Sequence, residues 1–294
     1  MSKKRAPRTQ PQAAALQELL RPGQSIELLK ELHILTRDGA LNQDTRRKLK
    51  QVHHLFGFIE PLLRELQEQQ RPQGVTLADH GAGKSYLGFI VYDLFFREHG
   101  QGTIYGIETR PELVQKSTEL AQRIGFERMR FLALTSQESA HTALLPERID
   151  IVTALHACDT ATDEAIAFGL HKQARHMVPV PCCQAEVAAQ LRQSKALQLA
   201  RTPLAELWRH PVHTREMGSQ ITNVMRCLYL ESQGYRVTVT ELVGWEHSLK
   251  NELILASWTG QRKHSAAQRM RALAESFGRE DWLQRRFPRL ASAA

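Results

Sequence analysis

Two carboxylates, Asp79 and Glu108, each close an apolar run, VTLAD and TIYGIE, and a glycine turn, Gly81-Ala82-Gly83, stands between them. A short apolar run that ends in an acid and leads into a helical pattern reads as a strand presenting that acid at the rim of a cleft. An acid placed there attracts a cation or accepts hydrogen bonds from hydroxyls. It repels phosphate, because a phosphate cradle needs free backbone N–H groups and positive charge. The stretch Ala78-x-x-x-x-Gly83-Lys84-Ser85 therefore reads poorly as a nucleotide-phosphate loop: alanine replaces the first glycine and Asp79 lies inside it. Downstream, LHACD is only an approximate match to a strand ending in a magnesium-holding acid. A dinucleotide loop fits no better, since Tyr86 stands where a third glycine would let helix and strand approach.

A methyl donor of the sulfonium type suits these residues. S-adenosylmethionine has no phosphate; it has a ribose with two hydroxyls and an amino-acid end carrying an ammonium. Asp79 can meet the ammonium, and Gly81 and Gly83 allow close backbone approach. Glu108, 25 positions after Gly83, stands where a βαβ unit brings the second strand tip to accept the ribose hydroxyls. The plainer reading of Glu108 is an acid near the start of a helix, because Pro111 follows.

More chemistry follows the fourth and fifth apolar runs. His156, Cys158 and Asp159 stand at and after the end of the fourth run, IDIVTALHA, and Pro181, Cys182, Cys183 and Gln184 at and after the end of the fifth, HMVPVPCC. His156 can contact the cofactor, orient a substrate oxygen or take a proton, or simply be hydrogen-bonded in a turn. Asp159 is a candidate site residue, while Thr160 or Thr162 is expected to cap the helix TATDEAI. Cys158 and Cys183 are a possible thiolate pair for attack on a pyrimidine ring; the alternative is small soft side chains packed at a crowded strand end. A zinc site with His156 and His176 has poor ligand spacing, so no metal is expected.

These residues need a scaffold. From Val75 onward strand and helix patterns alternate, and YRVTVTELV and ELILASW close the series as an antiparallel pair. That succession implies an α/β fold, a doubly wound sheet with its ligand at the strands' carboxyl ends. The expected organisation is a disordered basic tail over 1–12, a helical arm over 13–72, the sheet domain over 73–259 and a basic helical tail over 260–294. MSKKRAPRTQPQ is not followed by an apolar signal core and no run approaches a membrane span, so a cytoplasmic protein is expected. Four cysteines without C-x-x-C spacing fit a reduced compartment.

The motifs ADHGAGKSYLG, YGIE, ALHACDTATDEAI and VPCCQ, in this order, resemble those of the class I, Rossmann-like S-adenosylmethionine-dependent methyltransferases. Within that family the chain resembles the branch carrying D-x-G-x-G-K-x-Y-L and P-C-C. That branch includes the methyltransferase domain of glutathione S-transferase C-terminal-domain-containing protein. The chain is also similar to tRNA 2′-O-methyltransferases with H-x-C-x-x-x-T-D. His80 departs from the small apolar residue often found there. The resemblance implies a seven-stranded sheet and S-adenosyl-L-methionine as cofactor. It implies cofactor contacts from Asp79, Gly81, Ala82, Gly83, Tyr86, Glu108, Thr109, Ser136 and His156, and catalytic roles for His156, Asp159 and Cys183.

Net charge is +8, which suits an anionic partner, and RNA is the expected substrate. Arg201, Arg209, His210, His213 and Arg215 can contact phosphates and Trp208 can stack on a base or sit in the core; Arg46, Arg47, Lys48 and Lys50 form a second basic cluster. The N-P-P-Y and D-P-P-Y motifs used for exocyclic amines are missing from the sequence. Transfer to an oxygen or nitrogen of tRNA or rRNA is expected; the alternatives are a protein or small-molecule acceptor, or a cofactor-binding pseudo-enzyme.

Overall fold

A computed structural model describes residues 19–40, 43–69, 72–155, 159–181, 186–193, 202–242, 252–277 and 280–287. Two helices, α1 (Ile26–Glu31) and α2 (Gln43–Glu68), precede the sheet. Strand β1 (Thr76–His80) leads through the glycine turn into α3, whose α-helical start (Tyr86–Val91) passes through a π-helical segment (Tyr92–Phe96) to a last turn (Arg97–His99). There follow β2 (Thr103–Glu108), α4 (Pro111–Arg123), β3 (Met129–Ala133), α5 (Ser136–His141), β4 (Ile151–Leu155), α6 (Thr160–His171) and β5 (His176–Val180). Beyond β5 come α7 (Glu186–Gln193), a 3-10 turn (Pro203–Trp208), α8 (Pro211–Ser232), β6 (Tyr235–Glu241), β7 (Glu252–Trp258), α9 (His264–Ser276) and α10 (Glu280–Arg286).

The seven strands form one sheet in the order β3-β2-β1-β4-β5-β7-β6. The first five are parallel; β7 runs antiparallel to both β5 and β6. The order reverses direction beside β1, and a crevice opens at such a switch point. This is the α/β, doubly wound sheet that the alternating pattern implied, with the seven strands that the resemblance implied.

Successive side chains of a strand point to opposite faces, and the core divides accordingly. Leu77, Ile104, Ile151, Val178 and Leu253 pack against α1 to α4 on one face. Ala78, Tyr105, Val152, Met177 and Ile254 pack against α6 to α9 on the other, together with Phe287 just past α10. Helices on both faces bury β1, β2, β4 and β5, which is why those strands read as continuous apolar runs, while the edge strand β3 is only partly covered.

The N-terminal helices belong to this core. Leu49, Val52, Leu55, Phe56, Ile59, Leu63 and Leu66 recur at three- and four-residue spacing along α2 and are all buried. A polar lock adds to this: Asp93, buried in the π-helical segment, accepts the Ser25 N–H at 2.8 Å and pairs with Arg97 at 2.8 Å. Among the described residues no helix is long and apolar enough to cross a membrane.

If α2 is part of the sheet's core, Leu63→Ala should cost about 2–5 kcal/mol of unfolding free energy, the usual penalty for emptying a buried leucine site. Urea denaturation followed by circular dichroism checks this, and a loss below about 1 kcal/mol would mean that the helix docks only loosely.

Candidate functional site

The two acids lie on one face of the sheet. In β1, Asp79 shares its face with Leu77, and in β2, Glu108 shares its face with Ile104, so both point toward α3 and the glycine turn. Register sets Asp79 beside Gly106 on one side and Thr153 on the other. The Thr153 hydroxyl donates to Asp79 Oδ1 at 3.0 Å. Asp79 is only 2% exposed. Burial pushes its pKa from 3.8 up to about 7, against the pull of the Thr153 hydroxyl, and the nearby Glu108 charge adds to the rise.

Between the acids the chain turns sharply. Gly81 and Gly83 adopt φ of 71° and 57°, a left-handed conformation that side chains disfavour. Space lies above them: a Cβ on Gly81 would meet nothing within 4 Å, and one on Gly83 only Arg110 Nη2 at 4.0 Å. The N–H groups of Gly81 and Ala82 both donate to the Ile107 carbonyl, at 2.9 and 3.0 Å, and the Gly83 N–H donates to Glu108 Oε2 at 2.8 Å. Three successive amides are thus committed to protein acceptors. A phosphate cradle keeps such groups free, so the loop's own hydrogen bonds argue against the nucleotide-phosphate alternative.

Glu108 closes β2 and gathers donors. Its Oε1 accepts from the Thr109 hydroxyl at 3.2 Å, the Arg110 N–H at 3.2 Å and Arg110 Nε at 2.9 Å. Its Oε2 accepts from Gly83 and from Arg110 Nη2 at 3.1 Å. Burial alone would raise its pKa, but the hydrogen bonds from Arg110 and Gly83 outweigh burial and hold the carboxyl at about 2. Arg110 is 59% exposed, so a ligand hydroxyl can take its place at little cost. The two acids therefore differ: Glu108 is ionised at any physiological pH, and Asp79 is poised near neutrality.

The remaining expected residues distribute as follows. Tyr86 opens α3, half-buried, with Lys48 Nζ 3.4 Å from its ring centroid, so α2 reaches over the glycine turn. Ser136 opens α5 beyond β3, and its hydroxyl donates to the Glu164 carbonyl at 3.4 Å. Asp159 stands just before α6, with φ 52° and ψ −116°, a region that costs a non-glycine residue on the order of 1–3 kcal/mol. Thr160 and Thr162 lie inside α6, so neither caps it. Asp159 holds the cap position without a side-chain cap bond, because its carboxylate turns toward Arg286, 3.7 Å away. His156, Cys158, Cys182, Cys183 and Gln184 fall outside the described residues. Cys227 is described, and burial pushes its thiol up to about 12, so it is no nucleophile at neutral pH. Trp208 is half-buried, meets Phe277 edge-on at 6.1 Å and packs against the rim of the core.

Thr153 and Arg110 escaped the sequence reading, and His80 entered it only as a departure from the family pattern. Thr153 shows only as the third residue of an apolar strand. Arg110 has no spacing signature. His80 is 5% exposed, on the opposite face from Asp79 and 5.3 Å from the Phe168 ring, and burial lowers its pKa to about 4. It is a neutral core histidine, which explains how the site tolerates it beside Asp79.

Residues 47–190 match a family model described as a methyltransferase domain. This segment, from α2 into α7, is a methyltransferase domain, and the cofactor of such a domain is S-adenosyl-L-methionine. Among solved structures the chain is similar to the fibrillarin pre-rRNA processing protein of Methanococcus jannaschii, at 12% identity and a TM-score of 0.42, over 64% of this chain and 68% of that one. It is similar to magnesium protoporphyrin IX methyltransferase of Synechocystis PCC 6803, at 12% identity and a TM-score of 0.43, over 79% and 94%. A third likeness is an rRNA methylase of Streptococcus thermophilus, at 10% identity and a TM-score of 0.40, over 68% and 94%. Likenesses this distant carry nothing about substrate. No curated protein matches the chain.

The raised pKa of Asp79 has a consequence for stability. Its contribution is fully present below pH 3.8, where both folded and unfolded forms are protonated, and is lost as pH rises through about 7. Asp79→Asn should therefore stabilise the ligand-free protein at about pH 8 by on the order of 1–4 kcal/mol, with the gain vanishing by about pH 4. Paired urea titrations at the two pH values check it; an equal effect at both would place the carboxylate in water.

Proposed function

We propose that the chain transfers a methyl group from S-adenosylmethionine to an oxygen or nitrogen of RNA, tRNA or rRNA, in the cytoplasm. The observation that carries the donor half is the pair Asp79 and Glu108 on one face of the sheet, either side of an open glycine turn. In this reading Asp79 takes the donor's ammonium. Glu108 exchanges Arg110 for the two ribose hydroxyls, Gly81, Ala82 and Gly83 form the floor, and Tyr86, Thr109 and Ser136 line the walls with His156.

The bound donor supplies an electrophilic methyl on a positive sulfur. The chain's task is then alignment and proton removal. The acceptor's lone pair must approach the methyl in line with the breaking carbon–sulfur bond. Any proton released by the acceptor goes to His156 or Asp159, which come after β4 in the sequence. Cys183, which comes after β5 in the sequence, takes the nucleophile's role only if the acceptor is a pyrimidine carbon.

Charge supports RNA as the acceptor. The chain carries a net +8, and Arg46, Arg47, Lys50, Arg209, His210, His213 and Arg215 are exposed. Cations arranged along a surface bind a phosphate backbone through counterion release and position it without reading sequence.

Two experiments test the halves separately. Glu108→Ala should weaken S-adenosylmethionine binding by roughly tenfold or more, the loss expected when charge-assisted hydrogen bonds disappear, while Arg110→Ala leaves the affinity equal or higher. Calorimetry reads both, and undiminished binding by the Glu108 variant removes the ribose role. For the acceptor, the purified enzyme with methyl-labelled donor should label total RNA and spare total protein; label in protein or small molecules only rejects RNA.

A further inference from the structure

A second set of charges gathers at the same edge of the sheet, away from the glycine turn. Arg226, on α8, is fully buried. It donates from Nε to Asp163 Oδ1 at 2.5 Å, from Nη1 to Asn223 Oδ1 at 3.1 Å, and from Nη2 to the Asp159 backbone carbonyl at 2.8 Å. Asn223 in turn donates to Glu252 Oε2 at 2.7 Å. Arg286, the last residue of α10 and only 7% exposed, pairs with Asp163 and with Glu186 and lies 3.7 Å from the Asp159 carboxylate.

The placement of these partners matters more than their number. Asp159 precedes α6, four residues past the end of β4, and Glu186 opens α7, six residues past the end of β5. Glu252 opens β7, whose antiparallel register with β5 brings it level with Pro181. All three stand at the carboxyl edge of the parallel strands. The two arginines come from elements remote in sequence, 67 residues from Asp159 for Arg226 and 100 from Glu186 for Arg286. Arg226 holds the carbonyl, and Arg286 faces the carboxylate, of Asp159, a non-glycine residue with a strained backbone. Strain of that kind persists where the surroundings over-determine it and is characteristic of functional sites.

We infer that Arg286 is a positioning residue. From the end of the C-terminal helix it staples the start of α6 to the start of α7, and so fixes the acceptor side of the cleft from outside the matched methyltransferase segment. The inference rests on reading this edge as the acceptor side. Its chemistry is that of a planar guanidinium, which can serve several carboxylates at once in a fixed fork; a lysine ammonium keeps the charge but loses the fork.

The test uses the full chain with Arg286→Met and Arg286→Lys. Hydrogen exchange read by mass spectrometry should quicken across α6 and α7 in the Met variant and stay unchanged across β1 to α4. Calorimetric affinity for S-adenosylmethionine should not change. At saturating donor, label transfer into total RNA should fall by roughly 10–100-fold, the cost of a misplaced reacting group, with partial recovery in the Lys variant. Exchange that rises uniformly over the sheet, or donor affinity lost together with turnover, would show that Arg286 only holds the fold together. Unchanged exchange in α6 and α7 would overturn the staple outright. If the wild-type enzyme labels no RNA, the acceptor reading fails, while the exchange result still decides the staple.

Discussion

Asp79 sits on β1, an inner strand of the sheet, with its carboxylate out of water, and a lone ionised acid in such a place is costly. Its burial pushes the pKa to about 7, and within the protein it has the Thr153 hydroxyl to accept from. A cationic ligand group arriving from the open glycine turn would complete the pair. Much of the surrounding architecture serves this arrangement. The parallel order brings Thr153 alongside, the turn folds back onto the Ile107 carbonyl, and α2 covers the start of α3 through Lys48 and Tyr86.

Glu108 solves the complementary problem. It stays ionised because it is hydrogen-bonded on both oxygens, and the donor that satisfies it most, Arg110, is mostly exposed and can leave. One acid thus has only neutral hydroxyls, Thr153 and Ser85, to set against its burial, and the other is held by an exchangeable guanidinium. The first gains most from a fixed cation, while the second keeps hydrogen bonds on its oxygens if hydroxyls replace the exposed guanidinium.

Much of the fold was legible because burial on both faces leaves unbroken apolar runs. TIYGIE coincides with β2, and PELVQKSTELAQRIG, opened by Pro111, starts with α4 and overruns its end by two residues. Helix α5 was missed, although Thr135 and Glu138 form a capping box whose T-x-x-E spacing is visible in the sequence. The π-helical turn at Tyr92–Phe96 has no comparable sequence signal. In the candidate site, the strand-tip acids and glycines followed from spacing and chemistry. The opposed pKa shifts of Asp79 and Glu108 did not, because they depend on cross-strand neighbours and on Arg110. The Arg226 and Arg286 network was invisible for the same reason: Asp163 is 63 residues from one arginine and 123 from the other. An expected cap at Thr160 or Thr162 failed because Asp159 already holds that position in a strained backbone.

The donor's ammonium keeps its proton below its own pKa of about 7.7–8.0, so the titration of Asp79 alone should govern donor affinity in mildly acid solution. The decisive measurement is the affinity of S-adenosylmethionine by calorimetry between about pH 5.5 and 7.5, for the wild type and for Asp79→Asn. If Asp79 grips the ammonium, wild-type affinity should climb with pH by at most roughly tenfold per unit and level off near 7, and the variant should bind weakly with no such climb. A flat wild-type profile, or a variant that binds as well as the wild type, would contradict the account.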